Sequence, residues 1–427
     1  MNDGPHGNAR PPEPTLIHRL LSEIRTPGRL QMFVVMALAV AVLLVRKTDA
    51  FLHPQFWAED GHVFFQDQVN LGIAAMVEPY SGYLHLAPRL TAWLAYVFFP
   101  FSAAPAVYNY LSLLALLVVI LNIYSRRFRF EHKALLSLTM VLVPHCGNEV
   151  FMNITNVNWI LALLLLVILF KEPPDRQFGT LGGQMAADAA GIGVCGLSGP
   201  CIIFAAPFFV GRFWRGKSPY NLRLAGLAVL VATIQGSFLL MGNPLTDGAP
   251  AEAGLFATGC AVFGEKMFGN LLLGSTLPYL ANPYVLCGYG VLVVSAVAWL
   301  AVNCGKGRPI FVLLAFSALI LLTTFLKFKE FPEILIPPFL AGRYFYLPSV
   351  LFIWSLILCL NQPNKSASQL VVFLLIATLL SSLTSRFHSP PFADLEWAQA
   401  SQRILKNQLI TIPINPPGWS LSVISRK

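Results

Sequence analysis

The sequence predicts an all-α fold: a polytopic transmembrane helical bundle of about eleven spans, with interfacial helices in the first external loop and a small external C-terminal tail. Three observations lead there. Of 427 residues, 56% are hydrophobic and only 11% charged, where a soluble domain carries about 25%; the mean hydropathy is +0.64. Runs such as Leu30–Val45, Leu111–Ile123, Trp159–Phe170 and Val291–Val302 hold almost no ionisable group, and with their uncharged flanks most approach the roughly 20 residues that cross a bilayer core. The basic residues, finally, fall in short clusters between the apolar runs, as an orientation signal does.

That placement decides the meaning of the formal charge of +9: the clusters orient spans, and nucleic-acid binding is the poorer reading. Seven cysteines are scattered at Cys146, Cys195, Cys201, Cys260, Cys287, Cys304 and Cys359, with no C-x-x-C or metal-ligand spacing, so neither a disulfide framework nor a zinc site is supported. Residues 1–29 are Pro-rich and lack the pattern of a cleaved signal peptide. They read as a disordered cytoplasmic tail with a short amphipathic helix at Leu16–Ile24.

The spans follow in order. The clusters "RRFRFEHK" (Arg126–Lys133), "KEPPDR" (Lys171–Arg176), "RFWRGK" (Arg212–Lys217), "NCGKGR" (Asn303–Arg308) and "NQPNK" (Asn361–Lys365) are assigned to the cytoplasm. Leu30–Val45 then exits, and residues 46–83 lie outside. Only an odd number of crossings reaches "RRFRFEHK" from there, so one of the next two apolar segments does not cross. Tyr83–Phe99, with His85, Pro88 and Arg89 near its start, is placed along the external interface, because an Arg is expensive at mid-bilayer and a Pro removes a backbone donor. Val107–Tyr124 returns, Ala134–Val143 exits and Val157–Phe170 returns. Residues 182–211 are expected to form two half-depth helices broken at Gly196–Pro200. Leu222–Met241, Pro283–Val302, Pro309–Leu326, Tyr344–Leu360 and Leu370–Ser385 alternate to the end of a transmembrane domain spanning 30–385. Residues 386–427 form the external tail.

The polar groups gather on the external face. "PQFWAEDGHVFFQDQ" (Pro54–Gln68) sets Glu59 beside Asp60 between aromatic residues, at headgroup level. A carboxylate there can serve as a general base toward a hydroxyl or hold a divalent metal; a solvated loop acid is the bland alternative. Val63, Val69, Ile73 and Met76 then suggest one apolar face lying on the membrane. His85 and Arg89, four apart, share a helix face, where Arg fits a phosphate or snorkels to headgroups. Arg343, flanked by Tyr344, Phe345 and Tyr346 in "FLAGRYFYLP", offers a second phosphate contact with aromatics for a sugar or isoprenoid, or else an interfacial anchor. Glu149, Asn153 and Asn156 fall at i, i+4 and i+7, one face of a helix entering the membrane; their groups suit sugar hydroxyls or bridges between helices.

Taken together, "WAEDGHVFF", "GYLHLAPRL", "GLSGP" and "AGRYFYLP" resemble the corresponding segments of the GT-C superfamily of integral-membrane glycosyltransferases, particularly bacterial members acting on surface polysaccharides. The layout is similar over most of residues 29–385. The chain lacks an obvious D-x-D, and the H-P-P or K-P-P that follows the acids in some branches, which leaves metal use and acceptor type open. The resemblance implies a polyprenyl-phosphate-linked sugar donor, a glycan or glycolipid acceptor, membrane lipids as surroundings, and a bacterial inner-membrane location with the site facing the periplasm. It implies Asp60, or else Glu59, as the base, and Arg89 and Arg343 as stabilisers of the leaving phosphate. His85, Glu149, Asn153, Asn156, Tyr344 and Tyr346 are candidate substrate contacts. The rivals are a flippase or transporter of lipid-linked saccharides, which needs ionisable groups inside its spans and usually two related halves, and a polysaccharide polymerase or ligase. An acyltransferase using His62 or His85 is the remotest.

Overall fold

The computed structural model describes residues 27–144, 147–176, 180–242, 255–274, 281–303, 307–328, 332–335, 341–361, 364–384, 387–404 and 408–424. The expected N-terminal tail helix lies outside them. Twelve helices organise the rest: α1 (Pro27–Arg46), α2 (Leu86–Phe98), α3 (Ala104–Ile123), α4 (Lys133–Leu142), α5 (Val157–Phe170), α6 (Leu181–Gly196), α7 (Cys201–Gly216), α8 (Pro219–Gly242), α9 (Pro283–Asn303), α10 (Gly307–Lys327), α11 (Arg343–Leu358) and α12 (Lys365–Thr384). Six of them, α1, α3, α8, α9, α10 and α12, are long and apolar enough to cross a membrane. The chain is, on that measure, a multi-pass helical membrane protein. Among the described residues the only paired strands are β1 (Leu409–Ile414) and β2 (Trp419–Ile424), antiparallel, with Ile412 opposite Leu421.

Helix length sorts the bundle into shell and centre. The six long helices bury only 22–39% of their apolar windows inside the protein, leaving rows such as Phe33, Leu38, Leu292, Phe311 and Phe373 exposed to face lipid. The short helices α5 and α11 are the reverse: Ile160 to Leu169 and Phe345 to Leu358 are buried without a break. A helix that is apolar all round belongs in an interior. Trp354 Nε1 donates to the Leu136 carbonyl (2.9 Å) and Tyr346 OH to that of Met140 (3.2 Å), tying α11 to α4. At 1.5 Å per residue, α5 is about 21 Å long and α11 about 24 Å, against a bilayer core of ~30 Å. The central helices are therefore shorter than the shell helices, which implies a recess where they begin.

The end of the bundle away from that recess is closed by charge. Asp188 of α6 accepts from Lys171 Nζ at 2.9 Å and Tyr220 OH at 2.8 Å, and pairs with Arg127 Nη1 at 2.7 Å. Arg212 donates to the Ile168 and Leu169 carbonyls at the end of α5. Residues of three separate basic clusters thus meet at one end of the bundle. A fourth contact there joins Asn361 Nδ2 to Glu131 Oε2 at 2.6 Å.

At the recess end, the C-terminal segment folds back on the loop that follows α1. Phe56, Phe65, Tyr108 and Trp397 form an aromatic cluster; Trp397 Nε1 donates to the Phe101 carbonyl at 2.9 Å. The β1–β2 hairpin then runs along the π-helix Asp60–Phe65 and the helix Gln66–Leu71: His62 Nδ1 donates to the Ser420 carbonyl, and Gln66 and Asn70 bond the backbone of Ser422 and Ile424. The tail and the first loop are one platform.

Two expectations need adjustment and a third does not. The segment 182–211 does break at Gly196–Pro200, but into two 16-residue helices, about 24 Å each and longer than half-depth, because glycines at helix-packing positions are tolerated inside α6. Val63, Val69, Ile73 and Met76 do not share a face: the helix ends at Gly72 (φ +62°), so Val69 is buried in the platform while Ile73 is exposed. Finally, α2 has 13 residues and is not among the six long apolar helices, in keeping with an interfacial position.

Gly61 is the tightest contact between loop and hairpin. A Cβ there would lie 2.7 Å from Ile414 Cδ1 and 3.3 Å from Leu421 Cδ2. Gly61→Ala is expected to destabilise the platform by about 1–3 kcal/mol, read as a lower melting temperature in detergent with faster proteolysis of the C-terminal segment.

Candidate active site

The recess collects residues from five chain segments. The first carries Glu59 and Asp60 at the start of a π-helix. Asp60 is 2% exposed, and its carboxylate accepts from Ile154 N (3.2 Å), Thr155 N (2.9 Å) and Thr155 Oγ1 (2.5 Å), just ahead of α5. These donors lie just ahead of the Asn156 N-cap of α5, so the positive end of the helix dipole also faces the carboxylate. Burial nevertheless pushes the Asp60 pKa up to about 7; the Thr155 and Ile154 hydrogen bonds oppose the rise and the neighbouring Glu59 adds to it.

Glu59 is placed differently. It is 7% exposed, and its side chain accepts from Tyr80 OH at a long 3.4 Å. Across the recess, Arg343 begins α11, 32% exposed. Its backbone N donates to Glu149 Oε2 at 3.0 Å, and its guanidinium stands 4.0 Å from the same oxygen. Tyr344 lies between two cations, Arg343 at 5.3 Å and Lys327 Nζ at 5.3 Å from its ring, and its hydroxyl receives the Lys327 ammonium at 3.2 Å. Trp159 and Phe328 pack edge-on to Tyr344. Glu59 and Asp60 stand on one side; the other holds Arg343, Lys327 and the aromatic rings, with Glu149 against Arg343.

The backbone around the recess is strained. Of the six non-glycine residues with positive φ among the described residues, four flank it: Ala58 (+41°) before Glu59, Ser81 (+51°) after Tyr80, Met152 (+58°) before Asn153 and Ala341 (+54°) before Arg343. Each such residue costs about 1–2 kcal/mol, and strain of this kind gathers where a site must hold a special geometry.

Among the residues singled out from the sequence, Glu59, Asp60, Glu149, Arg343 and Tyr344 come together here. His85 borders the group, 2% exposed, stacked on Tyr83 at 4.3 Å, with Nδ1 donating to the Tyr83 carbonyl. Burial, aided by Arg89 and Lys327 and opposed by that bond, holds its pKa down to about 3, so the ring is neutral. Arg89 stands apart: 1% exposed, it pairs with Asp67 at 2.8 Å, donates to the Glu78 carbonyl and lies over Phe64. Glu149, Asn153 and Asn156 are not on one helix, because the helix Gly147–Val150 ends at Val150 and Met152 turns the chain left-handed. Both amide groups donate to the Glu149 carbonyl, which folds the loop. Tyr346 is fully buried against Met140, inside the bundle.

Three residues of the group went unread in the sequence. Thr155 and Tyr80 are ordinary in type and carry no signal. Lys327 had one: a lysine at the outer end of a span runs against the positive-inside bias. Lys47, just after α1, also belongs to the surroundings; burial, with Arg46 beside it, lowers its pKa to about 8, while Glu149 and Asp60 act the other way. Among the described residues no three His, Cys, Asp or Glu stand close enough to hold a metal ion. Comparison with protein-family models, curated proteins and solved structures finds no match for this chain.

Asp60 gives a pH test. Folded, it keeps its proton up to about 7, whereas its ordinary value is 3.8. Between those values the folded state binds more proton than the unfolded, so the contribution of Asp60 to stability falls as pH rises through the window. Melting temperatures of wild type and Asp60→Asn in detergent, from about pH 5 to about pH 8, are expected to show the wild type losing ground to the variant with rising pH. Parallel curves would mean that Asp60 does not titrate there.

Proposed function

We propose that the chain is a membrane glycosyltransferase of the GT-C kind, moving a sugar from a polyprenyl-phosphate donor to a glycan or glycolipid acceptor on the periplasmic face of a bacterial inner membrane. The observation that carries the reading is the opposition of charge in one recess: Glu59 and Asp60 on one wall, Arg343 and Lys327 on the other. In this reading α1 together with α3 through α12 make eleven crossings. An odd number puts the tail and the first loop on the same side, in accord with their packing, and opposite the basic clusters.

The transfer needs a base and a sink for charge. Glu59, with only a long hydrogen bond to Tyr80, is the freer carboxylate and takes the proton of the acceptor hydroxyl. Asp60, held by three hydrogen bonds, fixes the backbone on which Glu59 stands. As the acceptor oxygen bonds to the anomeric carbon, the bond from that carbon to the phosphate oxygen breaks, and its electron pair leaves with the polyprenyl phosphate. Arg343 and Lys327 stabilise the growing negative charge, an effect strongest in a recess that excludes water. Arg89, paired and buried behind Phe64, supports the platform in this scheme. The aromatic rings of Tyr344 and Trp159 offer faces to the sugar or the first isoprene unit.

The test is glycan mass spectrometry on cells lacking the gene, complemented with wild type, Glu59→Gln or Arg343→Ala at matched membrane levels. Glu59→Gln is expected to leave the surface glycan one sugar short, since loss of a general base slows transfer by about 10²–10⁴-fold. Arg343→Ala is expected to do the same less completely. Full glycan from both variants would end the reading.

A further inference from the structure

Glu59 follows a residue in a conformation it would not choose. Ala58 has φ +41°, a left-handed turn in which a Cβ crowds the backbone and which glycine adopts freely. Its amide donates to the carbonyl of Asn415, 357 positions along in sequence, while the Asn415 amide donates to the Phe56 carbonyl at 3.3 Å. Trp57 and Asn415 thereby form an isolated parallel bridge. The Asn415 side chain is buried, and both its ends are used: Nδ2 donates to the Ala393 carbonyl at 2.9 Å, and Oδ1 accepts from Ala393 N at 3.0 Å. One residue of the tail thus joins the segment before the acids to the segment after α12. Downstream of the turn, the Ala58 carbonyl accepts from Gly61 N (3.2 Å) and His62 N (3.0 Å). The left-handed turn at Ala58 consequently sets the first turn of the π-helix that carries both acids.

We propose that Asn415 is a positioning residue: its side chain, fixed to both backbone groups of Ala393, locks the Asn415 backbone against Phe56 and Ala58, and so holds Ala58 left-handed and aims Glu59 into the recess. It touches neither substrate nor reacting atoms. The inference rests on the proposed function only for its consequence in transfer; the geometric claim stands separately. It assigns the hairpin and its approach a role in the site that the sequence of the tail does not suggest, and it makes the site a product of both ends of the chain.

The chemistry of the turn supplies a specific rescue. If Asn415 works by holding a conformation that alanine resists, Ala58→Gly removes the resistance. Four full-length proteins are compared: wild type, Ala58→Gly, Asn415→Ala and the double variant. Amide hydrogen exchange across residues 57–66 reads the turn without reference to any reaction. Asn415→Ala is expected to raise exchange there, and the double variant to recover protection. Sugar transfer is expected to fall by about 10- to 100-fold in Asn415→Ala, the scale of a misplaced reacting group, and to return in the double variant to within about threefold of Ala58→Gly, well inside that loss.

Exchange in Asn415→Ala that matches wild type would overturn the proposal. So would increased exchange and lost transfer that glycine at 58 does not restore, because the tail would then act by general support of the platform. If exchange follows the expected pattern while wild type transfers no sugar, the positioning inference stands and the glycosyltransferase reading falls.

Discussion

The arrangement of the recess depends on a single buried carboxylate. Asp60 comes from the loop after α1, and its three donors come from the two residues ahead of the N-cap of α5. That one junction fixes the first loop to one of the two central, buried helices of the bundle. Without Asp60, the amides of Ile154 and Thr155 would be left unpaired in a dry place, at about 1–3 kcal/mol each. Without those donors, a carboxylate 2% exposed would have no means of staying charged. Each half makes the other tolerable.

From that junction the rest of the site follows. Glu59 is adjacent in sequence and so is carried to the rim, while the short loop ahead of α5 brings Glu149 against the start of α11 and with it Arg343. The tail completes the frame from outside through Asn415 and the hairpin. The six long helices contribute little of this directly; their role is to surround α5 and α11, whose shortness leaves room for the polar groups. At the far end Asp188 neutralises part of the charge of Arg127 and Lys171, so both ends of the central helices are anchored by an acid.

The two arginines show where reading the sequence reaches its limit. Arg89 and Arg343 look alike in context, each at the start of an apolar helix next to aromatic residues. What separates them is Asp67, 22 positions before Arg89, which meets it in space and occupies it. Nothing in the local pattern of either residue announces this. Asn153 and Asn156 differ from expectation for a related reason: helical spacing assumes a helix, and one left-handed residue, Met152, cancels it.

Composition, hydropathy and the spacing of basic clusters determined by themselves that this is a helical membrane protein and where most of its helices run. Those properties are sums over many residues, and the bilayer imposes them on every span alike. The tertiary structure alone decided which acid is locked and which is free, which arginine is open, and that the C-terminal tail holds the turn before Glu59. Those are matters of single hydrogen bonds between residues tens to hundreds of positions apart, and such partners leave no periodic trace in the sequence around either one.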